Sequence, residues 1–210
     1  WSSDPESTSG VYGAFEGTVR RQWAKELGIK MVHIDPYYNH TAALLGGKWL
    51  APRPDTGNAM ALAIAYVWIT EDLYDKEYVE KRTVGFNKWR DYIVGKTDET
   101  PKTPEWQEAE TMVPARDVRT LARMWGRLKT YLAPGGLVGF GGACRCATGI
   151  EWARAMVCLM AMQGLGKPGS NMGCLQQGAP VDTHFYFPGY AEGGLSGDLD
   201  YTGLRVNMYQ

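Results

Sequence analysis

The residues best suited to chemistry in this sequence stand where short apolar runs give way to loops. Asp35 and Pro36 end the run 31–34, and a glycine-rich stretch, 164–169, follows a later apolar helical run. A carboxylate after a strand can accept hydrogen bonds from a ribose hydroxyl, and glycine lets the backbone approach a ligand closely because it has no Cβ. Neither junction has the GxGxxG or the GxxxxGK[ST] spacing. The junctions therefore predict a large phosphate-bearing cofactor and argue against an ordinary NAD or ATP enzyme.

Three loops are candidates for holding this cofactor, because ligands of an open α/β sheet bind at the carboxyl ends of its strands. Asp35 also fits a simpler interpretation, since aspartate before proline is a common turn former. The glycine-rich loop after the strand at 130–133 equally fits a plain strand-to-helix turn. The candidate loops contain Ser2, Ser3 and Asp4; Asp35; and Gly139, Phe140, Gly141 and Gly142.

Two further groups could contact a planar ligand. Gln176 and Gln177 offer neutral donors and acceptors that suit a pterin or purine edge, or they lie in a solvated loop. Residues 185–190 read Phe-Tyr-Phe-Pro-Gly-Tyr, with four aromatic side chains in six residues. Aromatic residues in a loop either anchor it on the core or line a pocket for a planar ligand, and both interpretations stay open.

The elements that must position these groups alternate between strand and helix. Strands are predicted near 30–34, 48–51 and 130–133, and helices near 12–27 and 59–73. This alternation over residues 1–163 predicts an α/β domain with a doubly wound, mainly parallel sheet flanked by helices. Residues 164–210 are predicted to form a Gly- and aromatic-rich loop segment that lines the cofactor and active site and leads into a further domain.

Composition excludes several classes of function. With 210 residues, a net charge of -1 and pI 6.4, the chain has no basic footprint for nucleic acid. Its longest wholly apolar run, 59–69, is short of the ~20 residues of a membrane span and predicts a buried helix. Four cysteines without a CxxC motif and three scattered histidines predict no metal site within this chain. Both ends read as cut, so we expect an internal fragment, with the cytoplasm as the default location.

Taken together, these motifs resemble the molybdopterin oxidoreductases of the dimethyl sulfoxide reductase family. The shared order is W-x-x-[ND], I-D-P, a loop before a buried helix, and then G-x-G-K-P-G. The sequence is more similar still to the large subunit of the pyrogallol–phloroglucinol transhydroxylase branch. The segments that carry this similarity are 39–42, 132–136, 149–154, 166–172 and 185–194, of which the FYFPGY run is the most specific.

The resemblance implies a bis-molybdopterin guanine dinucleotide cofactor with molybdenum. Asp4 stands where many relatives have an asparagine beside guanine, and Ile34 and Asp35 would contact the guanosine. Tyr190 falls at the position of the active-site tyrosine that touches the bound phenol, with Tyr186 as the local alternative. Two departures stand out: Asp55, Thr56 and Gly57 reverse the relatives' G-T-D order, so that the carboxylate comes two residues early, and Tyr37 replaces an arginine.

The resemblance also implies what this chain lacks. The molybdenum ligand would come from a segment before Trp1, and [4Fe-4S] clusters would belong to an iron–sulfur small subunit, so we expect the fragment alone to be inactive. The implied activity is hydroxyl transfer between polyhydroxylated benzenes. Alternatives are a resorcinol-hydroxylase-type enzyme, a respiratory reductase of an oxyanion such as arsenate, and a non-catalytic nucleotide-binding α/β domain. The aromatic run at 185–190 favours a phenolic substrate.

Overall fold

The computed structural model describes residues 1–8, 14–135 and 146–172. Within these ranges, none of the helices is long and apolar enough to cross a membrane. Helices and short strands alternate along most of the chain. In chain order they are α1 (Pro5–Thr8), α2 (Ala14–Glu26), β1 (Val32–Ile34), α3 (His40–Leu45), β2 (Lys48–Leu50), α4 (Gly57–Thr70), α5 (Lys76–Arg82), α6 (Phe86–Ile93), α7 (Pro104–Thr111), α8 (Ala115–Arg127), β3 (Tyr131–Leu132), α9 (Gly149–Met162) and β4 (Asn171–Met172).

The strands form two parallel pairs that the first residues of the chain connect. β1 pairs with β2, and β3 pairs with β4. The Ser2 backbone N–H donates to the Ile34 carbonyl (2.7 Å), while the Trp1 nitrogen donates to the Ala133 carbonyl (2.8 Å) and the Gly135 N–H donates to the Trp1 carbonyl (2.7 Å). The Trp1 N–H and carbonyl thus bond to the residues on either side of Pro134, which is the hydrogen-bond pattern of two parallel strands. The order β2, β1, residues 1–2, β3, β4 confirms the α/β fold with its mainly parallel sheet.

Helix α4 is the centre of the hydrophobic core. It contacts α7, α8 and α9 extensively, and its side chains from Met60 to Ala65 are almost fully buried. Its apolar residues run round the whole helix, which is the pattern of a helix covered on every side. Trp68 is fully buried, and its indole Nε1–H donates to the Ala122 carbonyl of α8 at 2.7 Å. The buried helix predicted after residue 58 is confirmed.

A buried polar cluster at the end of α7 fixes the loop that precedes α4. The Gln107 Nε2 donates to the Pro104 carbonyl (3.0 Å) and the Val113 carbonyl (2.8 Å), and its Oε1 accepts from the Thr111 hydroxyl at 2.6 Å. The Thr111 carbonyl then accepts from the Arg53 N–H at 3.0 Å. Since both side chains are fully buried, this cluster holds the 51–56 loop in place.

We expect Gln107→Leu to lower the free energy of unfolding by about 2–3 kcal/mol. Leucine fills most of the volume but leaves the Val113 carbonyl and the Thr111 hydroxyl buried without their partner, which is the costly case for hydrogen bonds. Hydrogen exchange of the α7 amides in the full-length protein measures the change. Gln22→Leu, at an exposed glutamine of α2, is the matched control, and an equal effect of both variants would contradict the prediction.

Helix α2 lies where the sequence predicts a helix. Its apolar residues Val19 and Trp23, with Leu27 just beyond the helix, repeat every four positions, yet Trp23 is 58% exposed and Leu27 is 79% exposed. Helix α2 packs mainly on the short helices α1 and α3. The period identified one apolar side of the helix, but the period does not determine what lies opposite it.

Candidate functional site

A cleft of about 280 Å³ opens at the carboxyl ends of β1 and β2. Three parts of the chain surround it: the strand ends, the loop that enters α4, and the start of α9. Four residues singled out in the sequence meet here, namely Ser2, Asp35, Asp55 and Gly57. The cleft is lined by Ser2, Asp35, Pro36, Pro54, Asp55, Gly57, Asn58, Cys146, Thr148 and Trp152.

Asp35 is held at the sheet end of the cleft. Its backbone N–H donates to the Leu50 carbonyl (3.1 Å), and the Trp49 indole donates to the Asp35 carbonyl (2.9 Å). Its carboxylate accepts from the Tyr37 N–H at 3.3 Å and from the Asn39 amide at 3.4 Å. Burial raises the pKa of Asp35, and these hydrogen bonds oppose the rise. The result is an oriented carboxyl group with acceptor capacity left for a ligand hydroxyl.

Asp55 also lines the cleft and is hydrogen-bonded to the residue before α9. Its carboxylate accepts from the Thr148 backbone N–H (3.2 Å) and from the Thr148 hydroxyl (3.0 Å). These bonds, the backbone one first, hold the pKa of Asp55 below its usual range. Asp55 has φ 64°, a left-handed conformation that aspartate adopts more readily than most residues. Asp55, the carboxylate that comes two residues early in the D-T-G order, therefore holds the residue before α9 by hydrogen bonds and also lines the cleft.

The start of α4 lies beside the cleft and is not capped by a side chain. Thr56 is the N-cap residue, but its side chain makes no capping bond; its hydroxyl instead donates to the Arg53 carbonyl at 2.8 Å. The first N–H groups of a helix have no partner within the helix. In α4 the Ala59 N–H donates to the Thr56 carbonyl at 3.0 Å, and the dipole of the helix places positive potential beside the cleft.

Three buried polar atoms around Gly57 have no hydrogen-bond partner among the described residues: Trp1 Nε1, Trp152 Nε1 and Asn58 Oδ1. A Cβ at Gly57 would lie 3.3 Å from each of the two indole nitrogens. Sequence reasoning missed all three side chains as site residues. Trp152 lies within the 149–154 segment that carries the family resemblance, and Asn58 is the second residue of α4.

Asp4 and Ser3 lie next to this site, but the bonds found for them are structural. The Asp4 carboxylate accepts from the Thr41 N–H (2.9 Å) and the Thr41 hydroxyl (2.7 Å), at the start of α3. The Ser3 carbonyl accepts from the Asn39 amide at 3.1 Å. Burial opposes ionisation of Asp4, but the bonds from Thr41, Ser7 and His40 outweigh it and hold its pKa far below the usual range. Its predicted contact with guanine stays a prediction.

The lowered pKa of Asp4 predicts acid sensitivity of the junction between α1 and α3. Because the folded pKa lies below the unfolded value near 4, this group contributes stability above about pH 5 that is lost as the pH falls. We expect the protection of the α3 amides in the full-length protein, corrected for the intrinsic exchange rate at each pH, to fall between pH 5 and pH 3, and to depend less on pH in Asp4→Asn. Asp72→Asn, at a well-exposed aspartate, is the control. An unchanged pH dependence in Asp4→Asn contradicts the assignment.

The other predicted site residues, Gly139, Phe140, Gly141, Gly142, Gln176, Gln177, Tyr186 and Tyr190, lie outside the described residues. Their roles stay predictions. In the described ranges, no group of three histidine, cysteine, aspartate or glutamate side chains is placed to hold a metal ion.

Comparison with known proteins adds a second line of evidence. No family model matches the chain. It is 59% identical to the pyrogallol hydroxytransferase large subunit of Pelobacter acidigallici over 95% of its length, which is 23% of that protein. It is 33% identical to the dimethyl sulfoxide/trimethylamine N-oxide reductase of Rhodobacter capsulatus over 93% of its length, or 24% of that protein. The chain thus spans about a quarter of the length of these relatives.

Among solved structures, the acetylene hydratase of Pelobacter acetylenicus superposes on 76% of the chain and 20% of its own, with TM-score 0.61 and 24% identity. At this identity the match supports the α/β fold alone.

Proposed function

Because this chain belongs to the molybdopterin oxidoreductase family that contains pyrogallol hydroxytransferase and the dimethyl sulfoxide reductases, we propose that it is the nucleotide-binding part of a molybdenum enzyme. In this proposal the full-length protein binds bis-molybdopterin guanine dinucleotide and transfers hydroxyl groups between polyhydroxylated benzenes. The 59% identity to pyrogallol hydroxytransferase, against 33% to a dimethyl sulfoxide reductase, favours this activity over reduction of an oxide.

One structural observation carries the binding part of the proposal: hydrogen-bond acceptors and donors both line the cleft. Asp35 and Asp55 supply carboxylate oxygens, while the Trp152 indole supplies an N–H group. Two carboxylates disfavour a further anion in so small a space. A nucleoside fits better, since its ribose hydroxyls donate and its base presents both donors and acceptors. The unpartnered atoms around Gly57 therefore suit the nucleoside end of the cofactor.

The described residues would bind and orient this end. Asp35 accepts from the ribose hydroxyls, Asp55 keeps the start of α9 against the cleft, and Ser2 offers a hydroxyl at the sheet end. The proposed cofactor-binding residues also include Ser3, Asp4, Ile34, Thr56 and the 139–142 loop. Gln176 and Gln177 would contact a pterin or purine edge. Precise placement of a large cofactor matters because a small displacement of the reacting atoms sharply lowers the rate.

Chemistry would take place beyond the described residues. When bound, the molybdenum centre supplies the site at which a substrate hydroxyl is activated. We propose that Tyr190 holds that hydroxyl and relays its proton, because a phenol can both donate and accept a hydrogen bond. Tyr186 is the alternative. The domain division at residue 163 and the lining role of 164–210 belong to this proposal.

The partner is also part of the proposal. The P. acidigallici relative is named as a large subunit, which supports a small-subunit partner for this protein. We propose that the small subunit carries [4Fe-4S] clusters and that the complex works in the cytoplasm.

The test uses the native full-length complex under anoxic conditions. Pyrogallol with a tetrahydroxybenzene cosubstrate is expected to give phloroglucinol, and acid treatment is expected to release GMP together with molybdenum. Hydroxylation of resorcinol that depends on an electron acceptor would instead assign the hydroxylase activity. A complex that contains neither GMP nor molybdenum would refute the proposal.

A further inference from the structure

The unpartnered atoms beside Gly57 define a more specific role within the proposed cleft, and this inference rests on the proposed function. Trp152 is 3% exposed, so its Nε1–H is removed from water without a described acceptor. The same holds for the Trp1 Nε1–H and, as an acceptor, for Asn58 Oδ1. A buried polar group without a partner destabilises the folded protein, because it has lost its hydrogen bonds to water. A ligand that pairs with these atoms offsets this loss.

Their arrangement depends on Gly57. A Cβ at this position would press on both indole nitrogens at 3.3 Å, so the absence of a side chain lets the two indoles and the start of α4 come together. Asn58 and Trp152 both line the cleft. The residues that line the cleft thus include one with an unpartnered N–H donor, Trp152, and one with an unpartnered amide acceptor, Asn58, which lies in the first turn of α4.

We propose that Asn58 and Trp152 read the edge of a purine base and are the specificity-determining residues of this cleft. The Trp152 N–H donates to the O6 oxygen of guanine, and the Asn58 oxygen accepts from the adjacent N1–H. Indole is a donor only. The base atom that faces Trp152 must therefore be an acceptor, as guanine O6 is and the amino group of adenine is not. A neutral amide thereby takes the place of a carboxylate as the base-reading group, while Asp55 is engaged with Thr148.

The experiment measures GMP, IMP and AMP binding to cofactor-free full-length protein by equilibrium dialysis. The three ligands share ribose and phosphate. IMP keeps O6 and N1–H, whereas adenine has a donor at position 6 and an acceptor at N1. We expect wild type to bind GMP and IMP alike and AMP at least tenfold more weakly, on the basis of about one lost hydrogen bond.

The variants assign the effect to particular side chains. Asn58→Ala and Trp152→Phe are each expected to weaken GMP binding roughly tenfold and to reduce the preference over AMP. The matched controls are Asn87→Ala, at an exposed asparagine of α6, and Trp89→Phe, whose buried indole nitrogen also lacks a described partner but lies in another groove. Both controls should bind like wild type.

Gly57→Asp tests the alternative that this chain has only lost the carboxylate that its relatives carry at the end of their G-T-D order. Under that alternative, restoring the carboxylate would tighten GMP binding. A carboxylate at position 57 would accept from the indole N–H groups and compete with the base, so we expect weaker GMP binding. Tighter binding, equal affinity for GMP and AMP in wild type, or unchanged affinity in both Asn58→Ala and Trp152→Phe would each overturn the proposal. If the native complex also contains no GMP, the proposed function fails; if GMP is present, only the base-reading roles fail.

Discussion

Trp68→Ala is expected to lower the free energy of unfolding of the α/β domain by about 3–5 kcal/mol, as for other large aromatic-to-alanine changes in a core. Trp68 is fully buried in α4, packs edge-on against Trp125 with ring centroids 5.1 Å apart, and donates to the Ala122 carbonyl. Alanine leaves a cavity between α4 and α8 that neighbouring side chains fill only in part. Because α4 begins at the cleft, its loosening also weakens the site.

Hydrogen exchange of the α4 and α8 amides in the full-length protein measures this loss locally, since a protein of several domains need not unfold in one step. Trp23→Ala removes the same atoms from a residue that is 58% exposed, so it should change stability by about 0.5 kcal/mol or less. Trp68→Phe keeps most of the side-chain volume but removes the hydrogen bond to the Ala122 carbonyl. This variant therefore measures the contribution of that bond apart from the packing. Similar exchange rates in Trp68→Ala and Trp23→Ala would show that the packing of α4 is not the main source of stability.

Tyr190→Phe is expected to reduce turnover of pyrogallol by roughly 10²- to 10⁴-fold, the range for loss of a group that transfers a proton in the rate-determining step. The substitution keeps the ring and removes only the phenolic hydroxyl. The holoenzyme should therefore retain its molybdenum and its GMP while losing turnover. Steady-state rates on pyrogallol, with molybdenum and GMP measured on the same samples, provide the test.

Tyr186→Phe is the matched control, since it removes the same hydroxyl four residues earlier in the same aromatic run. If Tyr186→Phe loses turnover and Tyr190→Phe does not, the two roles are exchanged. If neither variant changes the rate, this run provides no proton relay and the phenol is held by other groups. A loss of molybdenum or GMP in Tyr190→Phe would instead indicate a role in cofactor retention.

Several features could be predicted from the sequence because they depend on local chemistry. The buried helix α4 is apolar on all sides, and a chain segment with that composition has few stable locations other than a core. Asp35 follows a strand and precedes a proline, and this placed it at the sheet edge where ligands bind. Asp35 lies in the cleft together with Ser2, Asp55 and Gly57, and the cofactor contacts of these four residues stay predictions.

The tertiary structure decided which groups are free to act. Asp4 and Asp55 are both carboxylates near the site, yet the fold commits Asp4 to Thr41 and Asp55 to Thr148. Trp152 and Asn58 carry no local signal of function; they are notable because folding buries their polar atoms without a described partner. The exposed apolar side of α2 has the same origin, since an apolar period cannot specify its neighbour. Residue types and spacing determined the fold and the chemistry available, whereas long-range packing, which brings residues 1, 57 and 152 together, determined where that chemistry remains unused.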